Sequence, residues 1–83
     1  MGINFFKAQQ VKQALISFKK AISINPNLSS SYTNIGLIYT DHLQMPNKAI
    51  SYLTKAIKIE PSNTKALYNL GCAHNKLGEK EKG

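Results

Sequence analysis

Three kinds of side chain in this sequence could carry chemistry: one cysteine, two histidines and a large excess of lysine. Nucleophilic use of Cys72 would require a neighbouring base to generate the thiolate, and none is evident beside it. Its expected role is that of a small packing residue on a helix. A lone thiol also forms no internal disulfide framework, which fits a reducing, intracellular and cytoplasmic setting. His42 and His74 have no Asp, Glu or Cys three or four residues away, the spacing that turns two helical side chains toward one ion. His74 is read as a packing residue and His42 as a tolerated partial charge at a helix C-terminus. There is no glycine-rich phosphate loop and no serine or cysteine nucleophile motif. The residues therefore predict no enzyme, no metal and no cofactor.

Lysine is the remaining chemistry. Eleven lysines against four acids give a net charge of +7, and arginine is absent. Such an excess attracts acidic partners, either a protein segment or nucleic acid. The missing guanidinium fork argues against reading bases or gripping phosphates in two-point fashion. Nucleic acid is thus the second choice, resting on charge alone. A genome biased toward lysine, asparagine and isoleucine would produce the same composition without any functional meaning.

The elements that position these residues follow from a repeat. Ala14 to Pro26 returns 35 positions later as Ala49 to Pro61: Ala14, Phe18, Ala21 and Pro26 answer Ala49, Leu53, Ala56 and Pro61. Tyr32, Ile35, Gly36 and Tyr39 answer Leu67, Leu70, Gly71 and His74. Self-similarity at such a period is the mark of a stacked-repeat protein. At 83 residues the chain has room for one small domain. No run approaches the roughly 18 apolar residues of a membrane span, and the N-terminus lacks the pattern of a secretory signal.

The pattern predicts an all-α fold of about five helices. Residues 1–9 read as the end of a helix, with a turn at Gln9–Gln10. Residues 11–24 form an amphipathic helix with Val11, Ala14, Leu15, Phe18, Ala21 and Ile22 on one face, stopped by Pro26. Asn27 or Ser29 is the expected cap of a helix over 29–42. A connection at Leu43–Pro46 leads to a helix over 46–59, with Pro46 in its first turn, which Pro61 closes. Ser62 or Asn63 caps a last helix over 63–77, Gly78 ends it in a left-handed conformation, and residues 79–83 form a disordered charged tail. Gly36 costs about 1 kcal/mol relative to alanine inside a helix, so a second helix must approach it closely. Gly71 stands in the same place, and so does Gly2.

This arrangement resembles the tetratricopeptide repeat, a helical hairpin of about 34 residues with a large residue, Leu-Gly, Tyr, then Ala, a large residue, Ala and Pro. The middle copy, residues 27–61, carries Tyr32, Ile35-Gly36, Tyr39, Ala49, Leu53, Ala56 and Pro61. It is one residue longer than the family period, and the insertion is placed at Leu43–Pro46. Residues 1–26 form an incomplete first hairpin with Met1-Gly2, Phe5, Ala14, Phe18, Ala21 and Pro26. Residues 62–78 supply the first helix of a third, truncated one with Leu67, Leu70-Gly71 and His74.

The resemblance implies a right-handed solenoid acting as a protein-interaction scaffold. First helices line a concave groove for an extended peptide or partner helix. Groove positions mapped in this way are Ser30, Thr33, Asn34, Leu37 and Asp41 in the middle copy. In the third copy they are Lys65, Tyr68, Asn69, Cys72 and Lys76, and in the first Ile3, Phe6 and Lys7. Lys7, Lys65 and Lys76 against Asp41 predict an acidic partner. Members that grip the C-terminal carboxylates of Hsp70 and Hsp90 do so with a clamp of lysines and asparagines. Asn34 and Lys65 match that clamp, but Ile3 and Asn69 do not, so it is incomplete. The 35-residue step also fits the pentatricopeptide family, which binds RNA, although the paired alanines and the Leu-Gly-x-x-Tyr pattern do not. An array that stops in mid-hairpin leaves apolar surface uncovered, so the expectation is either a piece of a longer array or self-association through the ends, by stacking or helix exchange.

Overall fold

A computed structural model describes the backbone of residues 5–82 and the side chains of residues 8–79. Four helices follow one another: α1 (Phe5–Ile24), α2 (Ser29–Leu37), α3 (Pro46–Ile59) and α4 (Thr64–Lys82). A wide π turn, Ile38–His42, extends α2. No strand occurs among the described residues, and each helix packs on the next in sequence. The all-α repeat architecture is as expected; among the described residues the helices number four, where about five were predicted.

The repeat is visible in the turns. Asn25–Leu28 and Glu60–Asn63 adopt the same conformation 35 residues apart. At the first, the Asn25 N–H donates to the Ala21 carbonyl at 2.9 Å; at the second, the Glu60 N–H donates to the Ala56 carbonyl at 2.9 Å. Pro26 and Pro61 occupy these turns, where neither the missing N–H nor the fixed φ matters.

Three expected boundaries shift. The turn at Gln9–Gln10 is absent, and α1 runs unbroken for 20 residues. Its sequence has no glycine or proline and is rich in good helix formers, so nothing local interrupts it. Met1, Gly2 and Ile3 of the first copy lie outside the described residues. At the other end, Gly78 does not adopt the left-handed conformation, and α4 continues through Glu79 to Lys82. Glutamate and lysine favour helix, so residues 79–82 extend it rather than forming a structureless tail.

The third shift concerns the extra residue of the middle copy. Phe5 and Ala14 are nine positions apart, whereas Tyr39 and Ala49 are ten apart. The surplus is absorbed beginning at the end of the second helix, upstream of the predicted Leu43–Pro46 insertion. The Leu43 N–H reaches back five residues to the Ile38 carbonyl at 3.0 Å, and the Met45 N–H reaches Tyr39 at 2.7 Å. Gln44 then takes φ 52°, a left-handed conformation that costs a non-glycine residue about 1–2 kcal/mol. The chain turns there, and Pro46 opens α3 from a buried position.

The core lies between α2, α3 and α4. Ile35, Ala49, Leu53, Ala56, Ala66 and Ala73 are fully buried, with Tyr32 and Tyr39 beside them. Ala49 and Ala56 bring α3 close to its neighbours, and Leu53 fills the space between them. Gly36 faces Leu53 directly: a Cβ at position 36 would stand 2.5 Å from Leu53 Cγ and 2.7 Å from Cδ2. Close helix approach is thus the reason for this glycine. Leu15, Phe18 and Ile22 of α1 pack on the same core, half-buried, as are Ala14 and Ala21.

Candidate functional site

The repeat divides the helices into two layers. Lys19 of α1 and Lys48 of α3 both reach the Tyr39 ring, which places α1 and α3 on one side of α2. α2 and α4 form the opposite, front layer and run side by side. Their seam has an open hollow at each end. One is lined by Ser30, Thr33, Asn34, Asn63 and Lys65, the other by Thr40, Gln44, Pro46, Lys76 and Glu79.

This seam gathers part of the predicted groove set. Asn34 and Lys65 line one hollow, and Lys76 lines the other. Leu37 and Cys72 are half-buried along α2 and α4. Tyr68 projects into solvent, 73% exposed, outside both hollows. Asn69 is buried, 6% exposed, and so offers little to a ligand. The Lys7, Ile3 and Phe6 side chains lie outside the described residues.

The floor of the seam is polar and fully bonded in a way the sequence reading missed. Asn63 caps α4: its Oδ1 accepts from the Ala66 N–H at 3.0 Å, three residues into the helix, as capping requires. Its Nδ2 donates to Ser29 Oγ at 2.8 Å and Thr33 Oγ1 at 3.0 Å. Ser29 Oγ donates in turn to the Ala56 carbonyl at 2.9 Å, and Thr33 Oγ1 to the Ser29 carbonyl. One amide therefore ties α2, the end of α3 and the start of α4 together. Of the expected caps only Asn63 acts as one. Leu28 occupies the cap position of α2 without a side-chain bond, Ser29 is used across the core, and Asn25 Oδ1 accepts the Asn27 N–H. The spacing of Ser29 and Thr33 puts both hydroxyls on one helical face, but nothing in the sequence names their partner.

The end face of α4 is uncovered. Leu67, Tyr68, Gly71 and His74 are exposed, whereas their counterparts Tyr32, Thr33, Gly36 and Tyr39 are buried. His74 therefore does not fill the packing role that Tyr39 fills. A Cβ on Gly71 would meet nothing within 4 Å.

On the back, three exposed lysines lie over tyrosines. Lys19 Nζ is 5.7 Å from the Tyr39 ring centre, Lys48 Nζ 5.9 Å from the same ring and Lys55 Nζ 6.0 Å from Tyr32. Ammonium groups at such distances are attracted to the negative ring face. Hydrogen bonding toward the Tyr39 hydroxyl holds the Lys19 ammonium above the usual lysine range, against a smaller opposing effect of burial. Tyr52 stacks on Tyr39 with centroids 5.6 Å apart and also abuts Tyr32.

Among the described residues there is no group of three His, Cys, Asp or Glu side chains that could hold a metal, and no helix is long and apolar enough to cross a membrane. Two tetratricopeptide repeat models match the chain, over residues 29–63 and 52–83. The mitochondrial import receptor subunit TOM70 of Rattus norvegicus is 33% identical over 85 residues, covering 96% of this chain. Tetratricopeptide repeat protein 6 of Homo sapiens is 38% identical over 58 residues, 70% of this chain. Hsp70-Hsp90 organizing protein 3 of Arabidopsis thaliana is 31% identical over 81 residues, 98% of this chain. The chain spans only 14%, 11% and 14% of the lengths of these relatives. These matches give no support to the RNA-reading pentatricopeptide alternative. With the Gly36–Leu53 contact, the paired alanines and the duplicated proline turns, they agree on one assignment: the chain belongs to the tetratricopeptide repeat family.

Proposed function

We propose that this chain is a non-catalytic protein-interaction module whose front seam, between α2 and α4, receives an extended acidic peptide or a partner helix. The carrying observation is the pair of hollows, Asn34 and Lys65 at one end and Lys76 at the other. From Lys65 to Lys76 the seam runs for about 16 Å at 1.5 Å per helical residue, room for about five residues of extended chain. Two of the similar proteins are named as an import receptor subunit and as an organizing protein for two chaperones, names that suit protein recognition. The single thiol suits an intracellular setting. Replacing Lys65 and Lys76 together by alanine is expected to weaken binding of an acidic peptide selected from an array by about two- to thirtyfold, at about 0.2–1 kcal/mol for each exposed charge. Unchanged affinity in fluorescence anisotropy would remove the acidic preference.

A second reading rests on the open notch at Gly71. Gly36 receives Leu53 from a helix with alanines at positions 49 and 56. α1 repeats that pattern as Ala14, Phe18 and Ala21, and these are only half-buried. Self-association then stacks α1 of one copy on α4 of the next, with Phe18 at Gly71. Such a head-to-tail contact is heterologous and extends beyond a dimer unless the rotation closes. Sedimentation at rising concentration is expected to show wild-type association that Gly71→Leu abolishes by filling the notch. A wild-type monomer at millimolar concentration contradicts this reading.

A further inference from the structure

The net positive charge of the chain resides in one layer. Lys7, Lys12, Lys19, Lys20, Lys48, Lys55 and Lys58 stand on α1 and α3, and neither helix contains an acidic residue. The remaining four lysines are matched in number by Asp41, Glu60, Glu79 and Glu81, so the whole +7 belongs to the two back helices. The front seam, by contrast, has Glu79 beside Lys76 in one hollow, and Asp41 stands on the π turn that extends α2. Long-range attraction of an anion is therefore strongest at the back.

That layer also has a focus. Lys19 from α1 and Lys48 from α3 converge on Tyr39, and Lys55 lies over Tyr32 in the next turns of α3. Neutral rings orient the three ammonium groups without neutralising them, and no carboxylate is available on either helix. The tyrosines beneath are covered: Tyr39 is 5% and Tyr32 8% exposed. Tyr52 is half-buried and already stacked on Tyr39, so the cluster offers no row of open rings of the kind on which single-stranded nucleic acid stacks successive bases. The outward row of α3, Asn47, Ser51, Thr54 and Lys58, is polar and gives a membrane no apolar anchor. Hydrated ammonium point charges suit carboxylates, which need no planar fork.

We propose that the Lys19–Lys48–Lys55 cluster on the back of the molecule is a second binding surface, independent of the front seam, that takes a carboxylate-rich segment of a partner protein. The test is titration of fluorescent octaglutamate with the full chain and its variants, with helicity monitored by circular dichroism. Changing Lys19, Lys48 and Lys55 together to glutamine is expected to weaken binding at least about tenfold at low salt and to flatten its salt dependence. Changing Lys12, Lys20 and Lys58 removes the same charge away from the tyrosines and is expected to cost about threefold or less. Lys65→Gln with Lys76→Gln is expected to stay within about twofold. If the first variant does not fold, Lys48→Gln alone, which leaves Lys19 on the Tyr39 ring, is expected to cost about threefold. The proposal is overturned if both triple variants lose affinity equally, if the front pair carries the binding, or if oligouridylate or anionic vesicles bind more tightly than the peptide at equal salt. Loss confined to the front pair would leave the seam reading intact while removing this one.

Discussion

Leu53→Ala is expected to destabilise the protein by about 2–5 kcal/mol, the range for truncating a fully buried leucine. Small domains have stabilities at the low end of about 5–15 kcal/mol, so this one change consumes much of the total. Urea denaturation measures it. The sharper part of the prediction is its coupling to Gly36. Gly36→Ala alone gains about 1 kcal/mol of helix propensity, yet its new Cβ would meet Leu53 Cγ at 2.5 Å. Overpacking of this kind costs about 1–3 kcal/mol, and Cγ is the branch point of the side chain, so rotating a terminal methyl does not relieve it. The single variant is expected to lose stability. In the Leu53→Ala background the same change meets a cavity and is expected to be neutral or favourable, a non-additivity of 1 kcal/mol or more. Gly71→Ala, with nothing near its Cβ, serves as the control and is expected to stabilise by up to about 1 kcal/mol. A stabilising Gly36→Ala would show that Leu53 can step aside at little cost.

Asn63→Ala is expected to cost about 1.5–5 kcal/mol, although Asn63 lies in a turn and is only half-buried. The sum has two parts. Loss of the cap on α4 accounts for about 0.5–2 kcal/mol. The two bonds to Ser29 and Thr33 account for about 0.5–1.5 kcal/mol each. Asn63→Asp separates them, because its carboxylate still accepts the Ala66 N–H but cannot donate to either hydroxyl. Its loss is expected to fall between wild type and alanine. Thermal melts of the three proteins decide the matter. An alanine variant within about 0.5 kcal/mol of wild type would mean that water replaces the amide without penalty.

The repeat, the helix faces and the purpose of Gly36 were all legible in the sequence, for a common reason. Each depends on residue size and on a period, and both are local properties. Ala49, Leu53 and Ala56 announce a buried stripe because small residues flank a large one at helical spacing. The missed features depend on what lies across the core. Ser29 looked like a cap because serine usually caps; its hydroxyl instead serves the Ala56 carbonyl, 27 residues away. Lys19, Lys48 and Lys55 are exposed, as lysines on an outer face usually are. Only the fold brings the Tyr32, Tyr39 and Tyr52 rings beneath them. Of the seam, Asn34, Lys65 and Lys76 were foreseen by position in the repeat. Asn69 was not separable from them, since burial depends on how closely α2 and α4 pack. The helix boundaries at Gln9–Gln10 and Gly78 went astray where a weak local signal stood against strong helix formers on both sides.

The π turn at Ile38–His42 bears on how such a chain tolerates changes of length. One residue inserted into an ordinary helix rotates everything downstream by about 100°, turning the buried stripe toward water. Here the surplus residue is taken up where the helix is already ending, and Gln44 reverses the chain before α3 begins. Tyr32, Ile35 and Gly36 before it keep their places, and Ala49, Leu53 and Ala56 after it are fully buried. The helix end thus acts as a register buffer. A length change just after His42, where Leu43, Gln44 and Met45 are exposed, is expected to disturb packing far less than one between Ala49 and Ala56. Variation in repeat length can therefore accumulate at one place without altering the spacing on which the stack depends.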